Sequence, residues 1–139
     1  MRFLLDTNIV SLYAKNDQIV SQKIHATPAS ALGISVVTLM ELEFGIQRNP
    51  QLSQLVISRT RTLIREINIV PYEKRDALEN VSIRLDLETT QVQRQTKPIG
   101  KLDAMIAATA RARGLICVTH NTSEFSRVIG LEVQDWTIG

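Results

Sequence analysis

Four acidic side chains stand in unusually apolar stretches of this chain, and together they could hold a metal ion. They are Asp6 in RFLLDTN, Glu41 in TLMELEFG, Asp103 in IGKLDAMIAATA and Glu124 in VTHNTSEF. A buried carboxylate is costly unless a cation compensates its charge. Acids from distant parts of a chain that share this setting are best explained by hard divalent cations, whose usual chemistry is that of phosphate esters.

The elements that must position these acids alternate along the chain, short β-type runs with longer helical patterns. This alternation is typical of a parallel sheet covered by helices. The apolar runs predict strands at residues 3–5, 32–35, 67–70 and 115–118, with a possible edge strand at 131–133. Helical periodicity predicts helices over residues 8–15, 36–47, 51–66, 74 to about 93, and 102–113, the last ended by Gly114.

Asp6 directly follows the first predicted strand, which places it at the carboxyl end of the sheet. Open α/β folds keep their ligand crevices at this edge. Thr7 and Asn8 come next, at the start of a helix, and their side chains can cap free N–H groups or orient the Asp6 carboxylate. The competing interpretation is that Asp6 is only a helix cap.

Asp103 lies on the apolar face of its predicted helix, because Ile106, Ala107 and Ala110 follow it at three, four and seven residues. A solvated acid would occupy the opposite face. The alternative is a first-turn acid that interacts with the helix dipole, since Gly100 lies three residues upstream.

The other two acids are ambiguous when taken alone. Glu41 and Glu43 are equally surrounded by apolar residues, so spacing does not choose between them. Glu124 follows a strand end and could instead cap a short helix leading to Phe125. The prediction of a metal site therefore depends on all four acids together.

Composition bounds the class of protein. The 139 residues, 44% of them hydrophobic, predict one domain over residues 1–139. A net charge of +2 is too small to hold nucleic acid by electrostatics alone, so any such contact is local. Cys117 is the only cysteine and lies in an apolar run, and no secretory or membrane-spanning segment precedes Asp6, so we expect a cytoplasmic protein.

The order and spacing of the motifs resemble the PIN-domain ribonucleases, and among them the VapC toxins of bacterial VapBC toxin–antitoxin modules. The motifs that carry the resemblance are FLLDTNIV, MELEFG, IRLDLE, PIGKLDAMIAATA and VTHNTSEFSRVIGLEVQDW. The resemblance implies a single PIN domain, an α/β/α three-layer sandwich around a central, mostly parallel sheet. Residues 89–98 depart from the family pattern, because many relatives have a shorter connection with a glycine there; this segment could extend a helix or form a loop.

The resemblance also implies the site residues. The family's pattern of Glu, Leu, two residues and Gly favours Glu41 over Glu43, and the fourth acidic position falls on Glu124, with Asn121 as a polar partner that shares this position. The implied catalytic and metal-binding residues are Asp6, Glu41, Asp103 and Glu124. Those implied to support them by orienting carboxylates or contacting phosphate are Thr7, Asn8, Thr119 and Asn121.

The implied activity is that of a Mg²⁺- or Mn²⁺-dependent endoribonuclease toxin that inhibits translation by cleaving structured RNA. The expected substrate is tRNA, with initiator tRNA near its anticodon as the target in close relatives. The expected partners are a VapB-type antitoxin and a second copy of the chain. The antitoxin is expected on an apolar groove around Leu12, Tyr13, Leu39 and Phe44.

Two other classes of function compete with this interpretation. A different metal-dependent phosphohydrolase is disfavoured because Asp6 does not begin a DxDx motif and no glycine-rich phosphate loop is present. A non-catalytic RNA- or protein-binding module would use the acids only for caps and ion pairs. His120 could act as a base or contact RNA, and five arginines could contact RNA phosphates or lie on solvated helix faces: Arg59, Arg61, Arg65, Arg111 and Arg113.

Overall fold

The computed structural model describes residues 1–94 and 99–139. Five parallel strands form one sheet in the order β3-β2-β1-β4-β5. They are β1 (Phe3–Leu5), β2 (Leu32–Ser35), β3 (Asn68–Val70), β4 (Ile116–Val118) and β5 (Val133–Gln134). This all-parallel sheet with its helices confirms the predicted α/β class and PIN-like architecture.

Seven α-helices connect and cover the strands in the described part of the chain. They are α1 (Thr7–Ala14), α2 (Gln18–His25), α3 (Val36–Arg48), α4 (Gln54–Glu66), α5 (Lys74–Arg94), α6 (Lys101–Arg113) and α7 (Thr122–Phe125). Helix α5 extends through the first part of the 89–98 segment, and residues 95–98 lie outside the described residues. None of the helices described is long and apolar enough to cross a membrane.

Side-chain caps set most helix starts, and they explain where the predicted bounds shift. Asp17 accepts the N–H of Val20 at 3.0 Å and starts α2, an element that the periodicity analysis missed. Ser53 caps α4 through the N–H of Leu55, so this helix begins three residues later than predicted. Gly114 ends α6 as predicted, with φ of 64°, a left-handed conformation that favours glycine.

The sheet separates two apolar clusters, and β1 contributes to both. Leu4 packs with Ile83 and Ile106 of the α5–α6 layer, whereas Leu5 packs with Ile9 and Leu63 on the opposite side. Successive strand residues point to opposite faces, so adjacent leucines serve different layers. The residues of β2 and β4 are all buried, as expected for central parallel strands that are covered on both faces.

Ion pairs join α5 to α6, and they correct the interpretation of two arginines. Arg113 binds the fully buried Asp76 and also Glu73, while Arg111 binds Glu79 with Nε–Oε1 at 2.5 Å. Neither guanidinium lies on a solvated helix face or is available to RNA phosphates. Both interpretations of Arg111 and Arg113, as RNA contacts or as solvated residues, were therefore wrong. The acids that pair with them lie in a distant segment of the sequence.

The strand order creates a crevice at the carboxyl end of the sheet. The chain moves outward from β1 through β2 to β3, and then returns to place β4 on the other side of β1. Ligands of open α/β sheets bind at such a reversal. Asp6 follows β1 and Thr119 follows β4, so both lie at this point.

Candidate metal centre

Asp6 combines the role of helix cap with a position inside the crevice. It is only 3% exposed; its Oδ1 accepts the N–H of Ile9 at 3.0 Å and its Oδ2 accepts the Thr119 hydroxyl at 2.5 Å. Burial raises the pKa of Asp6 above its ordinary value, Glu41 raises it further, and the two hydrogen bonds oppose that change. The cap and the proposed ligand are thus the same side chain, and the two interpretations do not exclude each other.

The structure places Glu41, and not Glu43, beside Asp6. The Thr7 hydroxyl donates to Oε1 of Glu41 at 2.6 Å. Glu43 instead forms an ion pair at 3.2 Å with Arg61 of α4. Tertiary contacts therefore distinguish Glu41 from Glu43 by position, and the role of Glu41 in the site stays a prediction.

Thr38 is a buried neighbour of this site that the sequence analysis missed. Its hydroxyl is fully buried and lies 3.4 Å from the Thr7 hydroxyl. Since the single Thr7 proton is directed at Glu41 over the shorter distance, Thr38 is the donor to Thr7. The sequence signal was its position one helical turn before Glu41, on the same face of α3.

Asp103 lies close enough to the other three acids for their negative charges to act on it. Burial, and after it the charges of Glu124, Asp6 and Glu41, together raise the pKa of Asp103 from 3.8 to about 6. Like charges disfavour one another's ionised forms only when they are close in space. The fold thus brings the other three predicted acids within electrostatic range of Asp103, whose carboxylate receives no hydrogen bond from the described residues.

Glu124 is fixed to the start of α6, the helix that carries Asp103. Its Oε1 accepts the N–H of Gly100 at 2.9 Å, and its Oε2 accepts the Asn121 side-chain amide at 2.5 Å. Glu124 and Asn121 therefore lie together at the predicted fourth position, where Asn121 binds Glu124 and the charge of Glu124 acts on Asp103.

The remaining predicted residues contribute less or lie elsewhere. Asn8 is exposed, and its contribution is a backbone N–H that lowers the pKa of Asp6. The His120 ring lies beside Asp135 and Thr137, with Nδ1 3.3 Å from Oδ2 of Asp135 and 2.9 Å from the Thr137 hydroxyl. Cys117 is buried, and burial raises the pKa of its thiol, which leaves it unreactive.

The donor set suits a hard divalent cation. All four side chains offer oxygen, and no Lys or Arg of the described residues pairs with any of them. As they stand, no three acidic, His or Cys side chains in residues 1–94 and 99–139 are close enough to enclose an ion together. Asp6, Glu41 and Glu124 each accept hydrogen bonds from protein donors.

Comparison with known proteins decides the family. A model of the PIN domain matches residues 3–131. The chain is 36% identical over 137 residues to the tRNA(fMet)-specific endonuclease VapC of Shigella flexneri, covering 99% of both sequences. The chain belongs to the PIN-domain family of VapC ribonucleases. A second VapC relative, Ribonuclease VapC2 of Haemophilus influenzae (strain ATCC 51907 / DSM 11121 / KW20 / Rd), is 30% identical over 136 residues and 98% of each chain.

Solved structures show the same fold. The DNA-bound VapBC of Salmonella typhimurium contains a chain that is 29% identical, with a TM-score of 0.82 over 98% of each chain. FitAcB of Neisseria gonorrhoeae shows the same fold, with a TM-score of 0.83 at 23% identity. The predicted VapC resemblance, fold and endoribonuclease class are thereby confirmed. PIN-domain nucleases are in general dependent on divalent metal ions.

Proposed function

We propose that this VapC is the toxin of a toxin–antitoxin module and that it cleaves tRNA internally, with Mg²⁺ or Mn²⁺ held by Asp6, Glu41, Asp103 and Glu124. The observation that carries the proposal is the convergence of three carboxylates on Asp103, without a cationic side chain among the described residues to neutralise them. The full-length similarity to a relative named for tRNA(fMet) supports initiator tRNA, cut near its anticodon, as the substrate. Since tRNA is used in translation, the proposed toxin acts in the cytoplasm.

The chain's own residues prepare the site for phosphodiester hydrolysis. A divalent ion bound here would polarise the scissile phosphate and lower the pKa of a water nucleophile. Thr119 and the N–H of Ile9 fix the Asp6 carboxylate, and Thr7 fixes Glu41. Side chains locked by such contacts need little reorganisation when the charge of the reacting phosphate changes. Asp6 and Asp103 are the proposed direct ligands.

The outer acids have a different proposed role. Glu41 and Glu124 each accept hydrogen bonds from protein donors. Their proposed role is to bind the ion through a lone pair that these donors leave free, or to orient its waters. Such orienting contacts to metal ligands commonly affect metal affinity or activity by about 10–100-fold.

A VapB-type antitoxin is the proposed partner, as suggested by the VapBC complexes among the structural relatives. The structure changes the predicted antitoxin-binding surface in detail. Leu12, Tyr13 and Leu39 are partly buried against the core, whereas Phe44 is 62% exposed and Met40 is 53% exposed on the outside of α3. The proposed antitoxin contact therefore centres on the exposed side of α3. A homodimer is part of the same proposal.

The proposed activity is tested with purified protein freed of its antitoxin. We expect total RNA incubated with Mg²⁺ or Mn²⁺ to be cleaved within tRNA, and EDTA to stop the reaction, with the new ends located by sequencing. Cleavage that continues unchanged in EDTA would remove the metal from the mechanism. RNA binding without any cleavage would instead favour the non-catalytic module.

Glu41 and Glu43 form a matched pair of acids, two residues apart on α3. We expect Glu41→Gln to reduce the cleavage rate about 10–100-fold, since the residue is placed to orient a metal or its waters. Glu43→Gln should leave the rate unchanged and cost at most about 1 kcal/mol of stability, since it removes a surface ion pair. Single-turnover cleavage and urea unfolding measure the two effects. Equal activity of the two variants would exclude Glu41 from the site.

A further inference from the structure

A cavity of about 440 Å³ lies between α5 and α6, next to the metal centre. We call it the α5–α6 cavity; Arg84 and Glu88 line it from α5, and Gly100, Lys101 and Ala104 line it from the start of α6. The N–H of Gly100 binds Glu124. The cavity therefore adjoins the proposed metal site, and none of the four predicted metal-binding acids lines it.

The two cations of this cavity differ from the other charged residues of the same helix pair. Arg111 and Arg113 are matched by acids of α5 and its N-terminal approach. Arg84 and Lys101 are exposed, and neither forms an ion pair within residues 1–94 and 99–139. The structural role that explains the other arginines does not explain these two.

We propose that the α5–α6 cavity binds a backbone phosphate of the RNA substrate, adjacent to the phosphate that is cleaved. The inference deepens the proposed function and rests on it. An RNA strand whose scissile phosphate lies at the four acids must place neighbouring phosphates close by, and two cations beside one cavity provide the charge that such a phosphate requires. The apolar side chains of Leu87 and Ile99 line the same cavity, and a lower local polarity strengthens charge–charge attraction.

Glu88 allows a test in which RNA binding should change in the opposite direction. It is the one acid among the described residues that line the cavity, and it lies one helical turn after Arg84. Its carboxylate opposes a phosphate. We therefore expect Glu88→Gln to tighten RNA binding, whereas Arg84→Gln and Lys101→Gln weaken it.

The experiment measures both cleavage and binding of a labelled tRNA over a range of KCl concentrations. We expect Arg84→Gln and Lys101→Gln each to raise KM about five- to tenfold with kcat nearly unchanged, and to reduce the slope of log binding constant against log salt by about 0.7 for each phosphate charge no longer neutralised. Lys74→Gln is the control, because this exposed lysine lies ten residues before Arg84 on α5, about 15 Å along the helix. It should change none of these quantities.

Fluorescence anisotropy in EDTA measures tRNA binding without cleavage, so the cavity is tested even if the wild-type protein proves inactive. Absence of cleavage by the wild type would refute the proposed function. Unchanged tRNA affinity and salt slope in Arg84→Gln and Lys101→Gln, with thermal unfolding confirming that both variants are folded, would overturn the phosphate site. So would a loss of kcat alone, or weaker binding of the purified antitoxin with unchanged RNA binding.

Discussion

Asp103→Asn is expected to reduce RNA cleavage by at least about a hundredfold and, in the same protein, to increase the stability of the metal-free fold at alkaline pH. The loss of activity follows from the position of Asp103, on which the charges of Asp6, Glu41 and Glu124 all act. The gain in stability follows from the same geometry, because an amide removes one of four like charges. Both changes have the same geometric cause, so both are expected in this one variant.

The pH dependence has a definite sign. The pKa of Asp103 is about 6 in the folded protein, raised from the ordinary value of 3.8 by burial and then by the three acids. The folded state therefore binds this proton more tightly than the unfolded state. The resulting stabilisation is fully present below the unfolded pKa and is lost as pH rises through the folded pKa. After solvent screening, the stability lost above about pH 6 is on the order of 1 kcal/mol.

Urea unfolding in EDTA, at about pH 5 and about pH 8, measures this effect. The Asp103→Asn protein should show a smaller fall in stability between the two pH values than the wild type. Glu132→Gln is a suitable control, because Glu132 is exposed and lies on the approach to β5. Full cleavage activity in Asp103→Asn would remove this residue from the site, and an unchanged pH profile would contradict the electrostatic coupling.

The strands and long helices were predictable because burial imposes regular patterns on them. The bounds of β1 and β2 agree with the prediction, and β3 and β4 are each one residue shorter than predicted. Helix α2 was missed because its eight residues are mostly polar, with Val20 and Ile24 as its buried positions. Asp17, its cap, was the available signal.

The site was predictable in part, because some of its residues are distinguished only by tertiary contacts. Asp6 and Asp103 could be selected from their apolar neighbours and their placement on the elements. Glu41 could not be separated from Glu43 by spacing, since Thr7 and Arg61 distinguish them in space. The catalytic roles of the four acids stay predictions, for which the variants above are the test.

Long sequence separation also explains the misinterpreted arginines. Arg111 and Arg113 lie 32 and 37 residues from the acids that bind them. No local pattern links such positions. The same helix pair therefore contains arginines that hold the fold and, by our inference, cations that bind RNA, and their acidic partners distinguish the two groups.

Arg113→Ala is expected to lower the free energy of unfolding by about 3–5 kcal/mol. The Arg113 guanidinium donates to both carboxylate oxygens of Asp76, with Nη2–Oδ2 at 3.0 Å, and Nη2 also donates to Glu73 at 2.9 Å. The Asp76 side chain is 0% exposed. Without Arg113, this buried carboxylate keeps the N–H of Glu73 as a donor but loses its counter-charge. Urea unfolding near neutral pH measures the loss.

Arg61→Ala is the matched control, because Arg61 binds Glu43 through two similar contacts at 3.3 and 3.2 Å. That pair is exposed, with 47% and 34% of the two side chains accessible, so its removal should cost at most about 1 kcal/mol. Adding Asp76→Asn to Arg113→Ala should recover part of the loss, since the neutral amide keeps an acceptor for Glu73 and removes the unpaired charge. If Arg113→Ala lowers the free energy of unfolding no more than Arg61→Ala does, the buried ion pair between Arg113 and Asp76 does not stabilise the packing of α5 on α6.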